Sequence, residues 1–178
     1  SPAAAQASTA VRGQRAEMYG FEIGPGELKA ALADGVVQAE PLELAVSQGQ
    51  VRLAPRLRLA PEPMELTLPP GPLAQQVQIT PGMCDRWLKY VAPVLAGDTS
   101  AQGAFSVELE NCRLPLADPA ESDLKGRFII HSVEVGPGPL VREFAVLLGR
   151  ESPAKLKRES VVPFTMVDGR VYHEGLEL

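Results

Sequence analysis

Apolar and polar residues alternate with a period of two along much of this chain. Phe105, Val107 and Leu109, for example, are separated by Ser106 and Glu108. Such a period places successive side chains on opposite faces of a strand. Similar apolar alternation runs through residues 42–46, 51–59, 64–68, 77–79, 126–135 and 161–166. Short one-faced strands between Gly and Pro turns predict an antiparallel meander sheet.

Two stretches have helical spacing instead. Thr80 followed by Pro81 is a typical helix start, because threonine caps the free N–H groups and proline suits the first turn. Helices are predicted at 81–92 and 139–148, with apolar stripes at Met83, Trp87, Leu88 and Val91 and at Leu140, Phe144, Leu147 and Leu148. The predicted fold class is therefore α+β and mostly β: a curved antiparallel meander sheet with two amphipathic helices.

The chain also resembles itself. Residues 34–44 and 168–178 are identical at seven of eleven positions, and 22–28 resembles 134–140 in the same order. Two matches in one order favour an internal duplication over the chance recurrence of short turns. Asp34-Gly35 and Asp168-Gly169 each predict a two-residue hairpin turn.

Each copy contains a change of parity after its turn. Val37 and Leu42 would face opposite sides of a flat strand, because they are five positions apart, an odd offset. We expect a bend or bulge at Glu40-Pro41, and at Glu174-Gly175 in the second copy, to return the apolar residues to one face.

These features suggest a domain division. Residues 1–17 are interpreted as a flexible linker and 18–178 as one β-rich domain. That domain would contain two related subunits, about 18–80 and 98–178, joined by the helix at 81–92. Because the repeat stops at Leu178 where the first copy continues, we expect the chain to be a fragment of a longer protein.

Composition narrows the classes of function. The chain has 178 residues, 45% of them hydrophobic, and a net charge of −5. The acidic balance argues against a nucleic-acid partner, and no apolar run reaches the ~18–20 residues needed to cross a bilayer. Cys84 and Cys112 could form a disulfide in an oxidising compartment, or remain buried free thiols.

The sequence offers no recognisable catalytic motif. A nucleophile elbow, a Gly-rich phosphate loop and paired metal-ligand spacing are all missing, so we expect no enzyme activity, no cofactor and no metal. His131 and His173 are interpreted as surface histidines. A zinc site formed by these two with Cys84 and Cys112 would match no known zinc module.

One family resemblance follows from these residues. The Asp34-Gly35 hairpin, then 41–44 and 48–53, resembles the repeating unit of AsmA-like proteins, which are similar to bridge-like lipid transfer proteins of bacterial envelopes. The pattern returns at 168–169 and 176–178. The resemblance implies a gutter-shaped sheet with an apolar inner face and no catalytic residues. It also implies a periplasmic or envelope location, with membrane contact only through an N-terminal anchor absent from this sequence.

The sequence therefore leads to a lipid-handling hypothesis with one alternative. The chain would contribute an apolar β groove to an envelope protein, with lipid acyl chains or other envelope proteins as partners. Candidate groove residues are Leu42, Leu44, Leu57, Leu59, Leu66 and Leu68. The alternative is a structural or protein-interaction domain whose sheet is fully packed, with these leucines as ordinary core beneath the helices.

Overall fold

The computed structural model describes residues 6–83, 86, 100–136, 154–155 and 159–173. The first ten strands are β1 (Ala7–Gly13), β2 (Ala16–Met18), β3 (Phe21–Ile23), β4 (Gly26–Ala33), β5 (Val36–Ala39), β6 (Leu42–Val46), β7 (Gly49–Leu53), β8 (Arg56–Arg58), β9 (Glu65–Thr67) and β10 (Gly71–Gln78). The remainder are β11 (Ser100–Pro115), β12 (Asp123–Gly136), β13 (Ala154–Lys155), β14 (Ser160–Val167) and β15 (Arg170–His173). A helical turn, α1 (Pro81–Met83), and a 3-10 turn at Pro119–Glu121 complete the described elements.

All fifteen strands belong to one antiparallel sheet. Its first ten strands are the segments of five longer strands, each interrupted once. The two segments are β1 and β2, β3 and β4, β5 and β6, β7 and β8, and β9 and β10. These interrupted strands lie side by side. On one side of the interruptions β4 pairs with β5, β5 with β8 and β8 with β9; on the other side β3 pairs with β6, β6 with β7 and β7 with β10. β11 then pairs with both β9 and β10, and β12 and β14 follow. The predicted curved, mostly β antiparallel sheet is confirmed.

Prolines lie at four of the strand breaks. Pro25 separates β3 from β4, Pro41 separates β5 from β6, Pro55 separates β7 from β8, and Pro69-Pro70 separates β9 from β10. Proline has no N–H to donate, so a ladder is interrupted where it occurs. The breaks are neighbours across the sheet. We call this line of breaks, 24–25, 40–41, 54–55 and 68–70, the crease; it contains the bend predicted at Glu40-Pro41.

The two Asp-Gly hairpins have nearly the same geometry. Asp34 and Gly35 have φ of 51° and 74°, and Asp168 and Gly169 have φ of 50° and 69°. Two successive positive φ values are the signature of the predicted type I′ turn. Residues 137–140 and 174–178 lie outside the described residues, so the duplication as a whole stays a prediction.

The prediction of an α+β fold with two amphipathic helices is wrong, because strand accounts for 67% of the structure and helical conformation for 6%. The Thr80-Pro81 start signal acts as expected where the structure describes it: α1 begins at Pro81, and Thr80 Oγ1 accepts a hydrogen bond from the Met83 N–H at 3.3 Å. Most of the predicted helix at 81–92, and all of that at 139–148, lie outside the described residues.

The start of the chain also differs from expectation. Residues 7–13, within the predicted linker, form β1 and pair with β4 along their whole length. Every residue of β1 is exposed. The ladder that orders this strand consists of backbone hydrogen bonds, which leave no hydrophobic signature in the sequence.

The buried core lies towards one end of the sheet. Val77 and Met83 are fully buried, and the Phe105 and Phe128 rings stack with centroids 5.0 Å apart. The buried cluster consists of Val46, Ala74, Val77, Ile79, Met83, Phe105, Phe128 and Val162. α1 therefore contributes Met83 to this core.

Candidate functional site

Aliphatic side chains form a row that crosses five strands. Leu32 lies opposite Val37, Val37 opposite Leu57, and Leu57 opposite Leu66. Leu66 in turn lies opposite Leu114 on β11. Residues directly opposite in an antiparallel pair project from the same face, so these side chains share one surface.

The row continues across the rest of the sheet on the same face. Cys112 on β11 lies opposite Leu124, Leu124 opposite Met166, and Met166 opposite Val171. The apolar surface thus extends from β4 to β15.

Beyond the crease, β6 and β7 contribute to this face as well. Leu42 lies opposite Leu53, and Leu44 opposite Val51. A methyl group added at Gly26 would overlap Leu44 Cδ2 and lie 3.5 Å from Leu42 Cδ1. Gly26 has the parity of Leu32 on β4, so both sides of the crease share one apolar face.

Burial divides this apolar face into two parts. Around the buried cluster, side chains such as Phe105 and Val162 are at most 3% exposed. On β4, β5, β8 and β9 and the adjoining parts of β11, β12 and β14, by contrast, most aliphatic side chains are half-buried, although Ala39 and Cys112 are buried. We call this second part the open half; it comprises Leu28, Leu32, Val37, Leu57, Leu66, Leu114, Leu124 and Met166.

The six predicted groove residues fall on both sides of the crease. Leu57 and Leu66 meet directly in the open half. Leu42 and Leu44 lie on β6 across the crease, and Leu44 packs against the buried cluster. Leu59 and Leu68 follow the ends of β8 and β9; Leu59 is exposed and Leu68 half-buried.

A cavity of about 320 Å³ lies at the crease. Its lining is mostly apolar and includes Leu68, Leu73 and Leu109, with Arg52 as its one charged member. Prolines 41, 69, 70 and 72 complete much of the wall. The cavity therefore lies where the ladder is interrupted, and aliphatic side chains, prolines and Arg52 line it together.

The opposite face of the sheet carries charge. Glu65 accepts a hydrogen bond from Arg113 at 3.0 Å and lies 3.4 Å from Arg58. The hydrogen bond from Arg113, aided by the charge of Arg58, holds the pKa of Glu65 below its ordinary value of 4.5. Arg127 with Glu108, and Lys125 with Glu110, form further ion pairs. The sheet is thus apolar on one side and charged on the other.

A second cluster on this charged face was missed in the sequence. Ser106 Oγ and His131 Nε2 are 2.8 Å apart, and His131 Nδ1 lies 3.1 Å from a carboxylate oxygen of Glu159. The Gln76 N–H donates to Ser106 Oγ at 3.1 Å. These residues are far apart in the chain, and only the register of β10, β11 and β12 brings them together. A hydrogen-bonded Ser-His-Glu series is the arrangement that can activate a hydroxyl.

Cys112 and His131 lie on opposite faces, so they cannot bind one zinc ion together. Cys112 is buried, and burial raises the pKa of its thiol above the ordinary 9.0. Cys84 lies outside the described residues, so its pairing with Cys112 stays a prediction. Within the described ranges, no group of three or more His, Cys, Asp or Glu side chains could hold a metal ion.

None of the described helical segments has the length and hydropathy needed to cross a membrane.

Comparison with known proteins yields no relative. No family model, curated protein or solved structure matches this chain. The candidate function must therefore be argued from the two faces of the sheet.

Proposed function

We propose that the open half of the apolar face binds hydrocarbon chains. The observation that carries this proposal is the unbroken row from Leu32 to Leu114, whose members are aliphatic yet only half-buried. Interior positions of a sheet face are ordinarily packed to the density of an organic crystal. Here β4, β5, β8 and β9 present contiguous hydrocarbon without that packing.

The energetic reason is the hydrophobic effect. Removing apolar surface from water contributes roughly 25 cal/mol per Å², so several half-exposed leucines together favour an apolar occupant by several kcal/mol. A flexible acyl chain suits such a surface, because it can follow a row of side chains across successive strands.

The opposite face supports the same assignment. Its ion pairs keep it in water while the apolar face meets the ligand. A sheet that is polar on one side and apolar on the other can face water with one side and hydrocarbon with the other. Binding of hydrocarbon on the apolar face needs no catalytic residues on that face.

The resemblance to AsmA-like proteins suggests the type of protein, the ligand and the cellular location. The chain would be a segment of a bacterial envelope protein, its ligands would be phospholipid acyl chains, and its location would be the periplasm or envelope. Two features support this AsmA-like assignment: a long antiparallel meander, and a single apolar face continuous across its strands.

The alternative is a domain whose sheet serves only packing or a protein partner. The buried cluster around Phe105 and Phe128 favours this reading for one end of the sheet. It does not account for the half-buried row at the other end.

Native mass spectrometry of the purified protein, followed by solvent extraction, tests the proposal. We expect phospholipid or fatty acid to be retained at near one-to-one stoichiometry, and to be lost when Leu57 and Leu66 are both replaced by Gln. A folded protein free of lipid, which also fails to take up lipid from mixed micelles, would favour the packing alternative.

A further inference from the structure

The charged face holds a set of residues that the proposed function does not use. The set comes from three neighbouring strands. Ser106 lies on β11, His131 lies on β12, which pairs with β11, and Glu159 lies immediately before β14, which pairs with β12. Ser106 is 9% exposed, while the side chains of His131 and Glu159 are 21% and 59% exposed. The set therefore runs from a nearly buried hydroxyl outwards to a solvated carboxylate.

A neutral imidazole fits these hydrogen bonds in one tautomer. The Glu159 carboxylate can only accept, so Nδ1 carries the ring hydrogen and donates it to that carboxylate. Nε2 is then an acceptor for the Ser106 hydroxyl, whose oxygen also accepts the Gln76 N–H. This is the tautomer in which an imidazole can remove a proton from a serine hydroxyl, with the carboxylate orienting the ring.

The backbone beside Ser106 is also irregular. Gln76 has a φ of 52°, and the pairing of β10 with β11 shifts register between Ala74 and Val77. A non-glycine residue in the left-handed region is uncommon, and such strain concentrates at functional sites. The bulge brings the Gln76 N–H within hydrogen-bonding distance of Ser106 Oγ, and this bond fixes the position of the hydroxyl oxygen.

We propose that Ser106 is an activated nucleophile, with His131 as its general base and Glu159 as the positioning residue. The substrate class is a small neutral carboxylic ester. Its acyl group would meet the apolar side chains next to Ser106 and His131 on this face: Ala104, Ile129 and Val161. The site lies on the face opposite the open half, so this inference stands independently of lipid binding.

The chemistry balances as an ester hydrolysis. Oγ attacks the carbonyl carbon while its proton passes to His131 Nε2, and the alcohol leaves with that proton as the acyl–serine bond remains. Water then attacks the acyl group, giving its proton to His131 and releasing the carboxylic acid, and the proton returns to Oγ. The sum is ester plus water giving acid plus alcohol, with no oxidant or metal consumed.

An alkyl fluorophosphonate tests the nucleophile directly, since the hydroxyl displaces fluoride and the protein gains the phosphonyl mass. We expect one adduct, mapped by peptide sequencing to Ser106 and absent from Ser106→Ala. The rate should fall about 10²- to 10⁴-fold in His131→Gln, the range that general acid–base groups contribute. Glu159→Gln should slow labelling while leaving thermal unfolding unchanged, because its side chain is largely exposed.

Ser47 is a matched internal control. It is as buried as Ser106, and its Oγ likewise accepts a backbone N–H, that of Glu22 at 3.0 Å. Among the described residues Ser47 has no histidine partner, so it should remain unlabelled. Hydrolysis of p-nitrophenyl acetate provides the second readout, with loss expected in the His131 variant. No adduct on the folded protein, an adduct on Ser47, or labelling that persists unchanged in His131→Gln would each overturn the proposal.

Discussion

Single residues in this sheet have roles that depend on how closely backbones approach. Gly49 on β7 is the clearest case. A methyl group there would lie 2.5 Å from the carbonyl oxygens of Gln75 and Gln76 and from the Val77 nitrogen. These are backbone atoms of the β10 bulge, which cannot move aside as a flexible side chain can.

Replacing Gly49 by Ala should therefore destabilise the protein by about 1–3 kcal/mol, the usual cost of forcing extra atoms into a packed site. Gly13→Ala is the control, because the nearest atom to its added methyl group would be 4.0 Å away. Urea unfolding of both variants measures the difference. Equal midpoints would show that β7 and β10 do not approach as described.

Glu65 is the residue whose ionisation matters most for the charged face. Its folded pKa is held low by the hydrogen bond from Arg113 and the charge of Arg58. A carboxyl group with a depressed folded pKa contributes stability above its unfolded pKa, and this contribution is lost as pH falls through the folded pKa.

Glu65→Gln should accordingly lower the melting temperature at neutral pH. The gap from the unmodified protein should then narrow as the solution is acidified below the ordinary carboxyl pKa of 4.5. Glu62→Gln, at an exposed position before β9, should leave the pH profile unchanged. A gap that stays constant from neutral to acid pH would contradict this account of the ion pairs.

At the scale of elements, the short turn α1 has a role beyond its length. Its Met83 is fully buried within the cluster that also contains Phe105 and Phe128. The turn is held by the Thr80 hydroxyl, which donates to the Gly20 carbonyl at 2.8 Å.

Met83→Ala should cost about 2–5 kcal/mol, as large-to-small changes in a core do. Met64→Ala is the matched control, because Met64 is 43% exposed and surface changes stay within about 0.5 kcal/mol. Thermal denaturation followed by circular dichroism compares the two. Similar losses in both variants would remove α1 from the core.

Much of the sheet was predictable from local rules. The Asp-Gly pairs specify hairpins by their positive φ values, and alternation at 105–109 or 42–46 gives strand and face together. The strand break at Glu40-Pro41, where a bend or bulge is predicted, agrees with the change of parity and with the missing proline donor. The fold class with two amphipathic helices was wrong because it gave too much weight to apolar positions at helical spacing: strand accounts for 67% of the structure and helical conformation for 6%. β1 was missed because its ordering depends on pairing with β4, which leaves no hydrophobic pattern.

The two candidate sites also differ in whether the sequence reveals them. Apolar groove residues are visible in the sequence because alternation reveals a face. The Ser106, His131 and Glu159 set is invisible there, because no motif spacing joins three residues on separate strands. Only the register of β11 with β12 and β14 brings them together, and register is a property of the folded sheet.

For the whole molecule, the central feature is the difference between the two faces of one continuous sheet. One face is charged and tied by ion pairs, while the other is aliphatic from β4 to β15. At one end the aliphatic face contains the buried cluster, and at the other most of its side chains are half-buried. We attribute hydrocarbon binding to that second part, the open half.

The most direct test is titration of the purified protein with a fluorescent fatty acid, comparing Leu57→Gln with Arg56→Gln. The two positions are adjacent on β8 and receive the same side chain, but they project from opposite faces. The account predicts at least tenfold weaker binding in Leu57→Gln and unchanged binding in Arg56→Gln, with both proteins folded. Equal affinities in the two variants, or no saturable binding by the unmodified protein, would contradict it.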